Sequence, residues 1–198
     1  MKEKTYYGEE AIATDPINPN IVYMAAGKYS QRQPKGSIFK STERGKNWTK
    51  LNINLGIDSN VEHCWVGKRL ALNPANSNII FFDSRHDGVW RSSNAGATMG
   101  ESRNFISNAY QRRWHLVRVG GSRWNSTSTG ATSTDGGLIW KKLASFPASM
   151  PLRVAISAPN PNLFVVAVSK ALPLRTTDDG ASGSAVSGLP NRPEGPWY

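Results

Sequence analysis

The sequence predicts an all-β fold, a β-propeller segment of about four blades, and two repeated patterns predict it. The first is clearest at Ser133-Thr134-Asp135-Gly136-Gly137-Leu138-Ile139-Trp140. An Asp beside Gly suits a tight hairpin turn, because the carboxylate can accept backbone N–H groups and Gly tolerates positive φ. A hydroxyl two places earlier serves the same turn, and the Trp is expected to plug it from below. Ser41-Thr42-Glu43-Arg44-Gly45-Lys46-Asn47-Trp48 repeats this form with Glu for Asp. Ser92-Ser93-Asn94-Ala95-Gly96-Ala97-Thr98-Met99 repeats it with Asn for Asp and Met for Trp. Thr176-Thr177-Asp178-Asp179-Gly180 keeps the turn and lacks the Trp. The starts at 41, 92, 133 and 176 lie 51, 41 and 43 residues apart. A period of about 40–50 residues built from short strands signals one four-stranded blade per repeat.

A second pattern keeps the same beat. Asp15-Pro16-Ile17-Asn18-Pro19-Asn20 is matched by Asn73-Pro74-Ala75-Asn76-Ser77-Asn78 and by Ala158-Pro159-Asn160-Pro161-Asn162, each leading into an apolar run. A Pro/Asn loop feeding an apolar strand is a turn within a blade. The third repeat lacks this element. The expected blades are about residues 5–55, 56–105, 106–147 and 148–198, within one unit spanning 1–198.

In the first blade the strands are expected at 11–13, 21–26 and 37–40, with a polar loop over 27–36. Residues 51–69 read as a longer rim loop, where propellers often carry binding residues. Blade two runs through 70–72, 79–82 and 88–91. Residues 100–130 follow the pattern poorly, and 111–124 stand where a third Pro/Asn loop is expected.

The bulk properties narrow the function. Hydrophobic content of 38% with 18 glycines fits a turn-rich β protein. No apolar stretch nears the roughly 20 residues of a membrane helix, so no membrane partner is expected. The opening Met1-Lys2-Glu3-Lys4 leads into no apolar run, so no signal peptide is visible and the compartment stays unassigned. Cys64 stands alone, which excludes an internal disulfide and a Cys-rich metal site. His63, His86 and His115 show no ligand spacing, so neither metal nor cofactor is expected. The net charge of +10 is spread along the chain. Arg and Trp interleave over 111–124, which leaves nucleic acid or another polyanion as an alternative ligand.

Tyr6-Tyr7-Gly8, Ile12-Ala13-Thr14-Asp15-Pro16, Asn18-Pro19-Asn20 and Gly88-Val89-Trp90-Arg91-Ser92 together resemble glycoside hydrolase family 74, which contains the xyloglucanases. Val154-Ala155-Ile156-Ser157, Gly188-Leu189-Pro190 and Gly195-Pro196-Trp197 extend the resemblance. Gly67-Lys68-Arg69-Leu70 is similar to the family's G-E-R-L, with Lys68 in place of Glu. The acidic turns on their own, known as Asp boxes, are shared with sialidases, sortilin-type receptors and photosystem assembly factors.

The resemblance implies relation to a seven-bladed propeller, two of which enclose a glucan cleft. It also implies inverting hydrolysis by two aspartates, which must stand about 6.5–9.5 Å apart to admit a water. The family's base belongs to an R-T-D-x-G-G motif and its acid to the second propeller. Neither is expected within these 198 residues, so no catalytic residue is assigned and enzyme activity stays open. Asp58, Glu62, Asp83 and Asp87 read as surface-loop carboxylates.

The expected ligand is a neutral β-1,4-glucan such as xyloglucan, which wants exposed aromatics to stack on and a few amide or guanidinium donors. Tyr7, Tyr29, His63, Trp65 and Arg69 are the candidate substrate-binding residues. Ser41, Glu43, Gly45, Trp48, Ser92, Asn94, Gly96, Ser133, Asp135, Gly137, Trp140, Thr176, Asp178 and Gly180 are assigned to the turns. A non-catalytic propeller that binds protein is the main alternative. Four blades leave two open sheet flanks, so a homo-oligomer or additional blades are expected to close them.

Overall fold

Each repeat forms four antiparallel strands in simple up-and-down order. In a computed structural model of the chain, the described residues are 6, 8–27, 35–57, 69–84, 88–101, 109–112, 115–119, 130–143, 151–157, 159–168 and 171–189. The first sheet comprises β1 (Gly8–Thr14), β2 (Val22–Gly27), β3 (Gly36–Ser41) and β4 (Thr49–Lys50). The second holds β5 (Leu70–Asn73), β6 (Asn76–Ser84), β7 (Gly88–Ser92) and β8 (Gly100–Glu101). The third holds β9 (Ala109–Arg112), β10 (His115–Val119), β11 (Gly130–Ser133) and β12 (Lys141–Lys142). The fourth holds β13 (Pro151–Ile156), β14 (Phe164–Val168), β15 (Leu174–Thr176) and β16 (Ser184–Ala185). First strands adjoin: β1 lies against β5, β5 against β9, and β9 against β13. This is a propeller's radial arrangement, with the first strand of each blade innermost.

The irregular stretch at 100–130 therefore still contributes a sheet of the common topology. Its missing Pro/Asn loop has a structural counterpart, since only residues 113 and 114 separate β9 from β10.

The two sequence patterns are bonded to one another. In the first sheet the backbone N–H of Arg44 donates to the carbonyl of Asn20 at 2.9 Å. Ala95 donates to Asn78 at 2.9 Å and Asp179 to Asn162 at 3.0 Å. The terminal Asn of each Pro/Asn loop thus receives the third residue after the box Ser or Thr. In the fourth sheet the loop is opened by Ser157, whose N–H donates to Leu163 as that of Asp15 does to Ile21. Pro159 accordingly occupies the place of Ile17 rather than that of Pro16.

Cross-strand register explains how the sheets stack. Ile12–Met24–Phe39, Leu70–Phe82–Trp90 and Val154–Val166–Leu174 are equivalent rows across three sheets. Leu70 and Phe82 of the second sheet are buried with Tyr23, Ala25 and Ile38 of the first. These rows face the preceding sheet. The alternate rows, Ala13–Tyr23–Lys40, Ala71–Phe81–Arg91 and Ala155–Val165–Arg175, face the following one.

Residues 51–57 belong to the expected rim loop, but in the structure they form a buried strap. Leu51, Ile53, Leu55 and Ile57 alternate along it and join the core between the first two sheets. Gly36 and Leu55 exchange backbone hydrogen bonds at 2.8 and 3.1 Å, and the Ser37 hydroxyl donates to the carbonyls of Leu51 and Ile53. Ile57 lies flat on the backbone of Gly27 and Gly36, where any side chain would collide with it. Leu143, three residues after Trp140 as Leu51 is after Trp48, fills the equivalent place beneath the fourth sheet.

Gly180 combines a left-handed backbone (φ 79°) with close contact to Leu143 and Phe164, whereas Gly188 (φ 77°) has nothing near it. Gly188→Ala is expected to cost only the left-handed penalty, about 1–2 kcal/mol. Gly180→Ala should add overpacking of about 1–3 kcal/mol. Urea unfolding of both variants measures the difference, and equal losses would contradict this packing.

Candidate functional site

The strands give every blade two ends of different character. At the end carrying the boxes, the turns consume their own polar groups. The hydroxyl of Ser41 accepts the N–H of Gly45, Ser92 that of Gly96, Ser133 that of Gly137, and Thr176 that of Gly180, each at 2.9 Å. Two successive left-handed residues make this possible: 44–45, 95–96, 136–137 and 179–180. The second is glycine throughout, but the first is Arg44, Ala95, Gly136 or Asp179. The Asp-beside-Gly pairing of the sequence is thus incidental. The glycine that matters stands four residues after the hydroxyl.

The acidic residue caps the turn where its length allows. Asp135 accepts from the N–H groups of Leu138 and Ile139 at 2.9 and 3.0 Å, and from the Ser133 hydroxyl at 2.7 Å. Partial burial raises the pKa of Asp135, but the N–H of Ile139, the Ser133 hydroxyl and the N–H of Leu138 outweigh it, and the net shift is downward. Asp178 is held further down, at about 2, by the hydroxyl and N–H of Ser182 and the hydroxyl of Thr176. Asn94 substitutes fully, accepting the N–H of Thr98 and donating to its hydroxyl, both at 2.9 Å. Glu43 is one carbon too long and instead accepts from the Asn47 amide at 2.7 Å.

The plug residues also serve neighbours. Trp48 lies over its own Gly45 at 3.5 Å from where a Cβ would stand. Trp140, however, packs with Ile79 against the Phe81 and Val89 cluster of the preceding sheet. Met99 packs against the core shared by the first two sheets, so the second box retains an apolar plug despite lacking Trp.

The opposite end is built differently. The register of β1 shifts between Glu9 and Ala11, and such a bulge re-aims a side chain. Glu10 meets Arg69, just before β5, with Nε 3.0 Å from Oε1; the two side chains are only 1% and 5% exposed. Arg69 also donates through Nη1 to the carbonyl of Asp83 at 3.3 Å, while its own carbonyl accepts the N–H of Asp83 at 2.8 Å. Asp83 and Ser84 are fully buried at the end of β6, and the Ser84 hydroxyl reaches the Gly56 carbonyl of the strap. This buried polar knot fixes the innermost strands of the first two blades to each other.

Of the five candidate substrate-binding residues, Arg69 is described, and it sits in this knot. Tyr7, Tyr29, His63 and Trp65 lie outside the described residues, as do Asp58, Glu62, His86 and Asp87. The strand ends flanking their segments, at Gly8, Gly27, Gly36, Ile57 and Arg69, all stand at the end opposite the boxes. Sequence reasoning missed Glu10; nothing in G-E-E-A-I announces a bulge. Among the described residues no group of three His, Cys, Asp or Glu stands where it could hold a metal.

No family model matches the chain. It is 30% identical over 194 residues to the xyloglucanase Xgh74A of Acetivibrio thermocellus, an alignment covering 83% of this chain and 23% of that one. The solved structure of the GH74 enzyme of Niastella koreensis superposes with a TM-score of 0.73 at 25% identity, over 91% of this chain and 30% of that one. The chain is xyloglucanase-like: over most of its length it is similar to enzymes of glycoside hydrolase family 74. It spans about a quarter of the length of the Acetivibrio thermocellus xyloglucanases it matches. YCF48 bound to D1 peptide shares the fold, at a TM-score of 0.53 and 12% identity over 89% of this chain and 52% of that one. The Glu10–Arg69 knot thus lies between the first strands of two adjoining blades.

Removing one member of a buried ion pair strands the other. Arg69→Met or Glu10→Met is expected to cost about 3–5 kcal/mol, and the double Met variant much less than their sum. A double-mutant cycle by urea unfolding checks this, and additive losses would refute the coupling. Asp178 makes a second prediction. Its folded pKa is depressed, so its contribution is complete above about pH 4, the range of an unfolded Asp, and fades as pH falls towards 2. Thermal melts from pH 2 to 6 should show Asp178→Asn losing less stability on acidification than the parent protein.

Proposed function

We propose that this chain supplies glucan-binding surface to a family 74-type hydrolase acting on xyloglucan or a related β-1,4-glucan, with the catalytic aspartate pair provided from elsewhere. The observation that carries the reading is the 30% identity to a xyloglucanase spread along 83% of the chain. The build of the box end supports it, since the box hydroxyls and acidic side chains are bonded within their own turns.

The segments carrying Tyr7, Tyr29, His63 and Trp65 all leave from the other end. Aromatic faces there would stack on the flat C–H faces of a neutral sugar chain, and imidazole or amide groups would orient its hydroxyls. Arg69 is a positioning residue in this scheme: bound to Glu10 and Asp83, it fixes the strand end from which the segment with Trp65 departs. Charge plays no part in holding such a ligand, and binding should ignore salt.

Affinity electrophoresis in gels containing xyloglucan tests this directly. Retardation that persists at 0.5 M salt, and is reduced at least fivefold by Trp65→Ala combined with Tyr29→Ala, is the expected result. Retardation by polyanions alone, and only at low salt, would replace it with the nucleic-acid reading. Migration unchanged in both gels would favour the protein-binding propeller.

A further inference from the structure

Arg69 and Arg153 occupy the same place in two different blades. Arg69 directly precedes Leu70, which pairs with Phe82, and Arg153 directly precedes Val154, which pairs with Val166 in the equivalent row. Both therefore stand where an innermost strand begins, at the end opposite the boxes. The register of β13 shifts between Pro151 and Arg153, as that of β1 does between Glu9 and Ala11. Bulges of this kind recur beside functional sites.

The two arginines differ in what the chain supplies to neutralise them. Arg69 meets Glu10, from the innermost strand of the preceding blade, at 3.0 Å. The innermost strand preceding β13 is β9, and neither Asp nor Glu occurs over residues 102–134 or 136–177. The acids of the third and fourth boxes lie at the far end and are engaged there. Asp135 and Asp178 cap their own turns, and Asp179 accepts the Thr132 hydroxyl at 3.5 Å. Segments leaving the loop-bearing end of these two blades bring Arg103, Arg123 and Lys170, and residues 190–198 add Arg192 with Glu194. Five cations thus stand against one acid, a balance that attracts anions. At the same end of the first two blades Glu3, Asp58, Glu62 and Asp87 are interspersed among the cations.

We propose that Arg153 binds a carboxylate carried by the glucan, so that chains bearing acidic substituents are held more tightly than neutral ones. A guanidinium offers a planar fork that donates two parallel hydrogen bonds to a carboxylate. Where Arg69 receives that partner from the protein, Arg153 receives it from the ligand. The inference rests on the glucan reading and adds to it. Tyr7, Tyr29, His63 and Trp65 all belong to the first two blades and serve the neutral backbone of the polymer, whereas the fourth blade reads its charge. Only that added contact is screened by salt.

Affinity electrophoresis of the full chain at low salt tests it with neutral xyloglucan, xyloglucan whose primary hydroxyls have been oxidised to carboxylates, and polyphosphate. The oxidised polymer is expected to retard the chain about fivefold more than the neutral one, the upper range for an exposed charge pair. That preference should vanish at about 0.5 M salt. Arg153→Gln should lose the preference yet be retarded by the neutral polymer as the parent is, which shows that the variant folds. Arg175→Gln, which removes an exposed arginine at the box end, should keep it. A parent without the preference, or a preference that survives Arg153→Gln, overturns the inference and leaves the glucan reading standing. So does equal retardation by polyphosphate, or a preference lost equally in Arg175→Gln, since net charge would then suffice. No retardation by either glucan overturns both.

Discussion

A hydroxyl oxygen accepting the N–H of a left-handed glycine four residues later is the bond on which this structure is built. It occurs at Ser41, Ser92, Ser133 and Thr176 with the same length each time. Closing that ring forces two consecutive residues into positive φ, and this turns the backbone of the first of them outward on both sides. Its N–H meets the terminal Asn of the Pro/Asn loop wherever such a loop exists. Its carbonyl or side chain meets the preceding sheet. A local turn thereby ties a sheet to itself and to its neighbour.

This economy explains which box residues vary. The hydroxyl and the glycine are fixed by geometry, because a Cβ on the glycine would be strained and, at Gly96 and Gly180, would collide with Leu51 or Leu143. The acidic residue is an accessory. Asn94 replaces Asp without loss of the backbone cap, and Glu43 gives the cap up while its turn keeps the same backbone. The aromatic plug is less constrained still. It covers whichever apolar surface the adjoining sheets leave, so Met99 serves in one place and Trp140 in another.

The two ends of the blades divide the labour. At the box end, the box hydroxyls and acidic side chains are satisfied within four residues of chain, and the backbone of the turn bonds to the Pro/Asn loop and the preceding sheet. At the other end, satisfaction comes from distant residues: Glu10 with Arg69, Ser84 with Gly56, Ser37 with the strap. Long-range bonds of that kind hold strand ends still while the connecting segments differ from blade to blade.

Sequence alone determined the all-β class, the four-fold beat and the boxes, because each rests on contacts within a few residues and leaves a spaced signature of hydroxyl, acid and glycine. It also marked the Pro/Asn loops, down to their absence from the third repeat. Tertiary structure decided the rest. That Leu51, Ile53, Leu55 and Ile57 form a strap was present as a two-residue alternation, but only the facing sheets reveal what it covers. That Arg69 lies buried against Glu10 depends on a bulge in one blade meeting the entry to the next, a contact spanning 59 positions. Partners so far apart along the chain impose no local spacing on one another, so their pairing leaves nothing for periodicity or motif to register.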